Sequence, residues 1–248
     1  PFRSNLKVKN DILFLANQEN VLYAIDINNG DKLWELSTNY KLLKSKFKNN
    51  IAASETNVIF LNTSGELYSI NIISNRIEWV QNFSKSTSGG SNLFLSSPVI
   101  ISNKNVIIST NDQLYQLDIN TGNIILKLNI TLDTKPLITN NNIFVLTPNK
   151  FLICINRSNG EIIWSKNFLK ELVSMEKRFK IGKINGLYAV NSNIVLISKT
   201  GYLIKLNFNN GEIIEIVKFL QKSLGSNVLF ANNKIFALDS QKKLFEYK

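Results

Sequence analysis

The chain has 248 residues, of which 44% are hydrophobic and 19% are charged, and its formal net charge is +11 at pH 7. This length and apolar content are sufficient for a sizeable core in one globular domain. The sequence contains no histidine, so the most common general base and the most common metal ligand are both missing. Its single cysteine, Cys154, excludes an intramolecular disulfide.

From the N-terminus onward, the sequence repeats a pattern of short apolar runs separated by polar turns. Two runs rich in Ile, Val, Leu and Phe recur six times, and runs of this kind predict antiparallel strands in a meander. The first five pairs are each followed by a more closely repeated phrase. The phrases are AIDINNGDKLW (24–34), SINIISNRIEW (69–79), QLDINTGNIIL (116–126), CINRSNGEIIW (154–164) and KLNFNNGEIIE (205–215).

Three columns of this phrase have a physical reason to recur. An Asp or Asn that ends a strand can accept hydrogen bonds from the backbone that follows, which starts a turn. Glycine supplies the positive φ of a tight turn, and asparagine is its best substitute. A large aromatic ring at a fixed place in the next strand can pack against a neighbouring unit. The columns are Asp26, Asn71, Asp118, Asn156 and Asn207; Gly30, Asn75, Gly122, Gly160 and Gly211; and Trp34, Trp79, Leu126, Trp164 and Glu215.

Four strands per unit, repeated along the chain, predict the blades of a propeller. We therefore predict an all-β fold, a β-propeller of four-stranded antiparallel blades, as a single domain over residues 1–248. The blade repeats are expected at approximately 1–36, 50–83, 97–130, 135–168, 186–219 and 226–248. The first strand is expected within residues 3–10. The sixth unit reaches the Asp/Asn column at Lys248, so about six blades are expected, either alone or within a larger ring of seven or eight.

Two connecting segments do not follow the repeat pattern. The first connector, residues 41–48, places Phe47 among Lys41, Lys44, Lys46 and Lys48. The second connector, residues 168–183, contains an amphipathic stretch and the basic and aromatic group Lys177, Arg178 and Phe179. Both segments can be read as solvated connectors with a few anchoring apolar residues. They can also be read as a protein-binding rim, because loops on a rigid scaffold commonly carry binding sites.

The pattern A-x-D-x-x-x-G-x-x-x-W, present in AIDINNGDKLW and well matched by CINRSNGEIIW, resembles the PQQ-type β-propeller repeat. This group includes quinoprotein dehydrogenases and non-enzymatic propellers similar to BamB. The resemblance to the dehydrogenases implies a tryptophan floor under the quinone, a Ca²⁺ site and an adjacent cysteine pair. None of these maps onto this chain, because every tryptophan belongs to a repeat column and only one cysteine is present.

The resemblance therefore implies a non-catalytic, BamB-like scaffold that assists outer-membrane β-barrel assembly, with no cofactor and no metal. The implied partner is an envelope protein such as the POTRA domains of BamA. The implied location is the periplasm, peripheral to the outer membrane if a lipid anchor lies upstream of Pro1. A degenerate quinoprotein dehydrogenase and a ligand- or polysaccharide-binding propeller are the alternatives.

The net positive charge also raises the question of nucleic-acid binding. Only four of the 29 basic residues are arginines, and lysines are spread throughout the chain. Lysine on strand edges also discourages aggregation between sheets. We therefore expect no nucleic-acid partner.

Overall fold

The computed structural model describes residues 1–39, 48–84, 94, 96–110, 112–170, 180–232 and 234–247. The chain divides into two compact units, Pro1–Thr131 and Leu132–Lys248. In both units the strands form separate antiparallel sheets, and each strand pairs with its neighbour in sequence. The predicted meander of antiparallel strands is therefore confirmed.

The first unit contains three four-stranded sheets. The first sheet comprises β1 (Lys7–Lys9), β2 (Ile12–Ala16), β3 (Val21–Asp26) and β4 (Lys32–Ser37). The second comprises β5 (Asn50–Ala53), β6 (Asn57–Leu61), β7 (Glu66–Asn71) and β8 (Ile77–Asn82). The third comprises β9 (Ile100–Ser102), β10 (Asn105–Ser109), β11 (Leu114–Asp118) and β12 (Ile124–Leu128).

The second unit contains two four-stranded sheets and one sheet of three strands. The fourth sheet comprises β13 (Leu137–Ile138), β14 (Asn142–Leu146), β15 (Phe151–Asn156) and β16 (Ile162–Asn167). The fifth comprises β17 (Ile184–Val190), β18 (Asn193–Ser198), β19 (Tyr202–Asn207) and β20 (Ile213–Lys218). The described strands of the sixth sheet are β21 (Leu229–Ala231), β22 (Lys234–Leu238) and β23 (Leu244–Tyr247).

Within each unit the core lies between successive sheets, and the two middle strands of each four-stranded sheet supply most of it. Every residue of β6 is buried, whereas β16 has only exposed and half-buried side chains. In the second and fifth sheets, the middle strands are nearly continuous apolar runs because both of their faces pack against neighbouring sheets of the same unit. The fourth strands carry exposed isoleucine and leucine side chains, including Leu33, Ile125, Ile163 and Ile214.

A β-bulge recurs at the same place in all five four-stranded sheets. In the fourth sheet, Ile155 pairs with Ile162 and Cys154 pairs with Trp164, so Ile163 is the extra residue. A bulge increases local twist and re-aims the side chain beside it. The bulge therefore immediately precedes the tryptophan column in each repeat. The equivalent extra residues in the other sheets are Leu33, Glu78, Ile125 and Ile214.

Candidate functional site

In the turns of the repeat phrase, the Asp side chain accepts hydrogen bonds from backbone N–H groups two or three residues further along the chain. The Oδ1 atom of Asp118 accepts hydrogen bonds of 2.9 Å from the backbone N–H groups of Asn120 and Thr121. These hydrogen bonds, with that from Thr121 the strongest influence, lower the pKa of the Asp118 carboxyl. Asp26 caps its turn in the same way, accepting from the backbone N–H of Asn28 at 2.8 Å. The Asp column thus has a structural role in the turn.

The glycine column adopts the positive φ that these turns need. The backbone N–H of Gly122 donates to the carbonyl oxygen of Asp118 at 2.9 Å, and the φ angle of Gly122 is 71°. Asn75 takes the same role in the second sheet with a φ of 58°. The remaining members of the column are Gly30 (80°), Gly160 (79°) and Gly211 (73°).

The tryptophan column lies on the turn of the following sheet. The Nε1–H of Trp79, in the second sheet, donates to the carbonyl oxygen of Ile119 in the third sheet at 2.8 Å. A Cβ atom on Gly122 would lie only 2.6 Å from Cδ2 of this indole. The ring and the glycine are therefore in direct contact, and Gly122 is needed for packing as well as for its φ.

Trp164 and Trp34 occupy corresponding places in their own units. A Cβ atom on Gly211, in the fifth sheet, would lie 2.5 Å from Cζ3 of Trp164 in the fourth. Trp34 packs beside Phe14, with ring centroids 5.9 Å apart, and joins a buried cluster that includes Ile72 of the second sheet. All three tryptophans of the chain therefore pack between successive sheets of their own unit.

Most of the first connector lies outside the described residues, including Lys41, Lys44, Lys46 and Phe47. Lys48 is described, and it is exposed. The next residue, Asn49, is fully buried; its backbone N–H donates to the carbonyl oxygen of Arg3, and its side-chain amide donates to that of Asn17 at 2.7 Å. The chain is thus fixed at the C-terminal end of the first connector.

A buried polar network fixes the other end. Asn20, Asn62 and Glu66 are each less than 9% exposed. The Glu66 carboxylate accepts hydrogen bonds from the side-chain amides of Asn39 at 2.6 Å and Asn62 at 2.9 Å. The Asn20 amide donates to the carbonyl oxygen of Asn39 at 2.8 Å. Residues of both the first and the second sheet therefore hold Asn39, which lies shortly before the first connector.

The second connector shows a similar arrangement. Lys177, Arg178 and Phe179 lie outside the described residues. Before them, Phe168 is fully buried; after them, Ile181 is 1% exposed, and both belong to the same apolar cluster. The hydroxyl of Thr200 donates to the carbonyl oxygen of Ile181 at 2.5 Å. Apolar packing thus anchors this connector at both ends, with one added hydrogen bond at Ile181, whereas the first connector is anchored by hydrogen bonds.

The described residues hold no cluster of three or more Cys, Asp or Glu side chains suited to a metal ion. Among those same residues, no helix combines the length and hydropathy needed to cross a bilayer. The sequence pattern does not reveal the network around Glu66, because its members are separated by up to about 46 positions in the chain. In the sequence, the only indication of this network is the asparagine at each of positions 20, 39 and 62.

Comparison with solved structures shows the fold class. The chain is similar to BamB from Moraxella catarrhalis, with a TM-score of 0.72 and 14% identity over 97% of this chain and 70% of that chain. It is similar to the computationally designed Ika8 protein, with a TM-score of 0.71 and 12% identity over 99% and 70%. It also resembles KlHsv2 with loop 6CD replaced by a Gly-Ser linker, with a TM-score of 0.67 and 8% identity over 100% and 77%.

These likenesses, together with the six antiparallel sheets, define the protein as an all-β β-propeller. A comparison with curated protein sequences gave no match. The family model described as outer membrane protein assembly factor BamB matches residues 1–166. The chain therefore belongs to the BamB family of PQQ-like propellers, which confirms the resemblance drawn from the repeat phrase.

Proposed function

We propose that this protein is a non-catalytic interaction scaffold that assists the assembly of outer-membrane proteins in a bacterial envelope. The observation that carries the proposal is the BamB family match over residues 1–166, joined to a propeller fold similar to BamB. The same match supports a periplasmic location at the outer membrane. A propeller suits this role because its packed strands hold the connecting loops on a rigid frame.

Two features of the residues support a role without catalysis. A PQQ cofactor would need a tryptophan face, yet Trp79 and Trp164 are in contact with Gly122 and Gly211, and Trp34 packs beside Phe14. The residues present therefore do not fit a quinone site. Cys154 is buried, and burial raises the pKa of its thiol to about 11, so this thiol is not poised as a nucleophile.

Each of the two connectors is proposed as a candidate docking surface. Asn39 and Asn49 fix the ends of the first, and Phe168 and Ile181 fix the ends of the second. Fixed ends reduce the conformational entropy that a loop loses when it binds a partner. Phe47 and Phe179 would supply the apolar contact area of a binding hot spot, and the surrounding lysines would favour encounter with an acidic partner.

The partner is proposed to be an envelope protein, by family resemblance the POTRA domains of BamA. The test is a binding titration of purified POTRA domains against the protein and two variants. One variant carries Lys44→Glu, Lys46→Glu and Lys48→Glu together, and the other carries Phe179→Ala. We expect the first to weaken binding most at low salt, and the second to weaken it at every salt concentration.

A matched control carries the same change in net charge on exposed lysines outside the connectors, as Lys7→Glu, Lys104→Glu and Lys199→Glu. Equal loss of affinity in this control would assign the effect to net charge instead of to the connector. Absence of POTRA binding, together with a new absorbance band on adding PQQ and Ca²⁺, would replace the scaffold with a quinoprotein.

A further inference from the structure

The fifth sheet departs from the repeat at one pair of facing residues. In three other sheets this pair joins a small residue to a tryptophan: Ala24 with Trp34, Ser69 with Trp79 and Cys154 with Trp164. In the third sheet it joins Gln116 to the apolar Leu126. In the fifth sheet the same register pairs Lys205 with Glu215. An ammonium and a carboxylate thus replace the group that elsewhere fills the space next to the following sheet.

A cavity of about 540 Å³ lies beside this charged pair, between the fifth and sixth sheets. Its fifth-sheet wall includes Val195, Lys205 and Glu215, and its sixth-sheet wall includes Phe230 and Tyr247. This volume falls within the range of roughly 300–1,000 Å³ that is typical of small-molecule sites. In the second and fourth sheets, the corresponding space is occupied by an indole ring in contact with a glycine turn.

The lining of the cavity includes one positive and one negative side chain that are not paired with other side chains in the described residues. Within the described part of the chain, neither the Lys205 side chain nor the Glu215 side chain makes a hydrogen bond or an ion pair. The other lining lysine, Lys234, is already paired with Glu246 at 2.6 Å. One free cation and one free anion therefore face the cavity from adjacent strands. A ligand with charge of only one sign would satisfy one of them and oppose the other.

Apolar side chains form the rest of the wall. Phe230 packs beside Tyr188, with ring centroids 4.8 Å apart, and Val195 is 4% exposed. Ile235 of the sixth sheet also lines the cavity. This side of the cavity can take up an apolar group while the charged side holds the polar end of the same molecule.

We propose that this cavity binds a small zwitterion, an α-amino acid or short peptide with an apolar side chain. Its carboxylate pairs with the Lys205 ammonium, its ammonium pairs with the Glu215 carboxylate, and its side chain lies against Phe230. The site is separate from the two connectors, and the inference does not depend on the proposed scaffold function.

The first experiment measures binding by isothermal titration calorimetry, with L-phenylalanine as the probe. N-acetylphenylalanine lacks the ammonium, and phenylalaninamide lacks the carboxylate. We expect each derivative to bind about tenfold more weakly than L-phenylalanine, since each leaves one charge of the cavity unpaired. The dipeptide Phe-Phe, whose charged ends are farther apart, distinguishes a peptide ligand from a free amino acid. Equal binding of all three phenylalanine compounds would overturn the proposal, as would no binding.

The second experiment assigns each ligand charge to one residue. In Lys205→Gln the preference for L-phenylalanine over phenylalaninamide should disappear, while the preference over N-acetylphenylalanine remains. In Glu215→Gln the reverse should hold, and the exposed control Glu212→Gln should keep both preferences. The double variant Lys205→Ala, Glu215→Trp restores the repeat pair and fills the cavity. This variant should remain folded and lose binding; a folded double variant that still binds would place the ligand elsewhere.

Discussion

Gly122 and Gly30 share a positive φ but differ in their surroundings. Comparing them separates the effect of backbone conformation from the effect of close packing against a neighbouring side chain. A Cβ atom on Gly30 would meet nothing within 4 Å, whereas one on Gly122 would lie 2.6 Å from Trp79. Gly30→Ala should therefore cost only the backbone strain of a left-handed residue, about 1 kcal/mol of unfolding free energy. Gly122→Ala should cost a further 1–3 kcal/mol or so, because the indole must move.

Chemical denaturation of both glycine variants, followed by tryptophan fluorescence, measures this difference. The Gly122→Ala variant should also change the emission of the folded protein, since Trp79 is in direct contact with the turn. Equal denaturation midpoints for the two variants would show that the ring and the turn are not coupled.

Tyr68 makes the unfolding free energy of the protein depend on pH in the alkaline range. Its hydroxyl donates to the Glu66 carboxylate at 2.8 Å, and burial, followed by this hydrogen bond, raises the pKa of the phenol. The folded protein therefore keeps this proton where the unfolded chain, with a phenol pKa of about 10, releases it. Because the folded state then binds more protons, the unfolding free energy falls as pH rises above about 10.

The comparison of the wild type with Tyr68→Phe over pH 8 to 11 tests this assignment. Below about pH 10 the two proteins should differ by a constant amount. Above it the wild type should lose stability faster, by up to about 1.4 kcal/mol per pH unit. Tyr188, whose pKa is also raised by burial, is present in both proteins and cancels. Parallel curves over the whole range would contradict the assignment.

Single residues were predictable from the sequence where their role is local. The Asp and Gly columns close a turn with backbone groups only a few positions away, so the phrase itself encodes them. Glu66 gives no such indication, because its partner Asn39 lies 27 positions away and only the fold brings the two together, although Asn62 belongs to the same hairpin as Glu66. The pair formed by Lys205 and Glu215 is intermediate between these two cases. The sequence shows that both residues depart from their columns of the repeat phrase, but it does not show the cavity beside them.

The strand is the element that the sequence predicted best, because apolar runs between polar turns have no other low-energy arrangement at this length. The recurrent bulge was not predicted. Ile162 and Ile163 look alike in the sequence, and only the register of pairing shows that Ile163 is the extra residue. A bulge changes the pairing count by one without changing the composition of either strand.

The strands within one sheet should differ in local stability. In the fourth sheet, β14 and β15 pair on both sides and are largely buried, whereas β16 pairs only with β15 and has no buried side chain. Amide protection follows burial and hydrogen bonding. We expect hydrogen exchange measured by mass spectrometry to be at least about tenfold slower for residues 142–146 and 151–156 of these strands than for 162–167. Equal rates would mean that the sheet opens as a single unit.

The charge of the whole molecule acts at longer range than any contact described above. With 29 basic and 18 acidic residues, the chain carries a positive field that reaches beyond single ion pairs. Such a field speeds encounter with an acidic partner more than it strengthens the final complex. Ion pairs such as Lys9 with Glu55 and Lys150 with Asp133 neutralise only some of the lysines in the described residues.

We therefore expect salt to act on the association rate of the protein with an acidic partner. Raising ionic strength from about 0.05 to 0.3 M shortens the screening length from roughly 14 to 6 Å, which removes most long-range attraction but few direct contacts. Stopped-flow mixing with POTRA domains should show an association rate that falls at least about tenfold, with a dissociation rate changed less than about threefold. The variant with Lys44, Lys46 and Lys48 reversed should show a flatter salt dependence than the control with Lys7, Lys104 and Lys199 reversed. If both variants flatten it equally, steering comes from total charge, and the first connector has no special part in encounter.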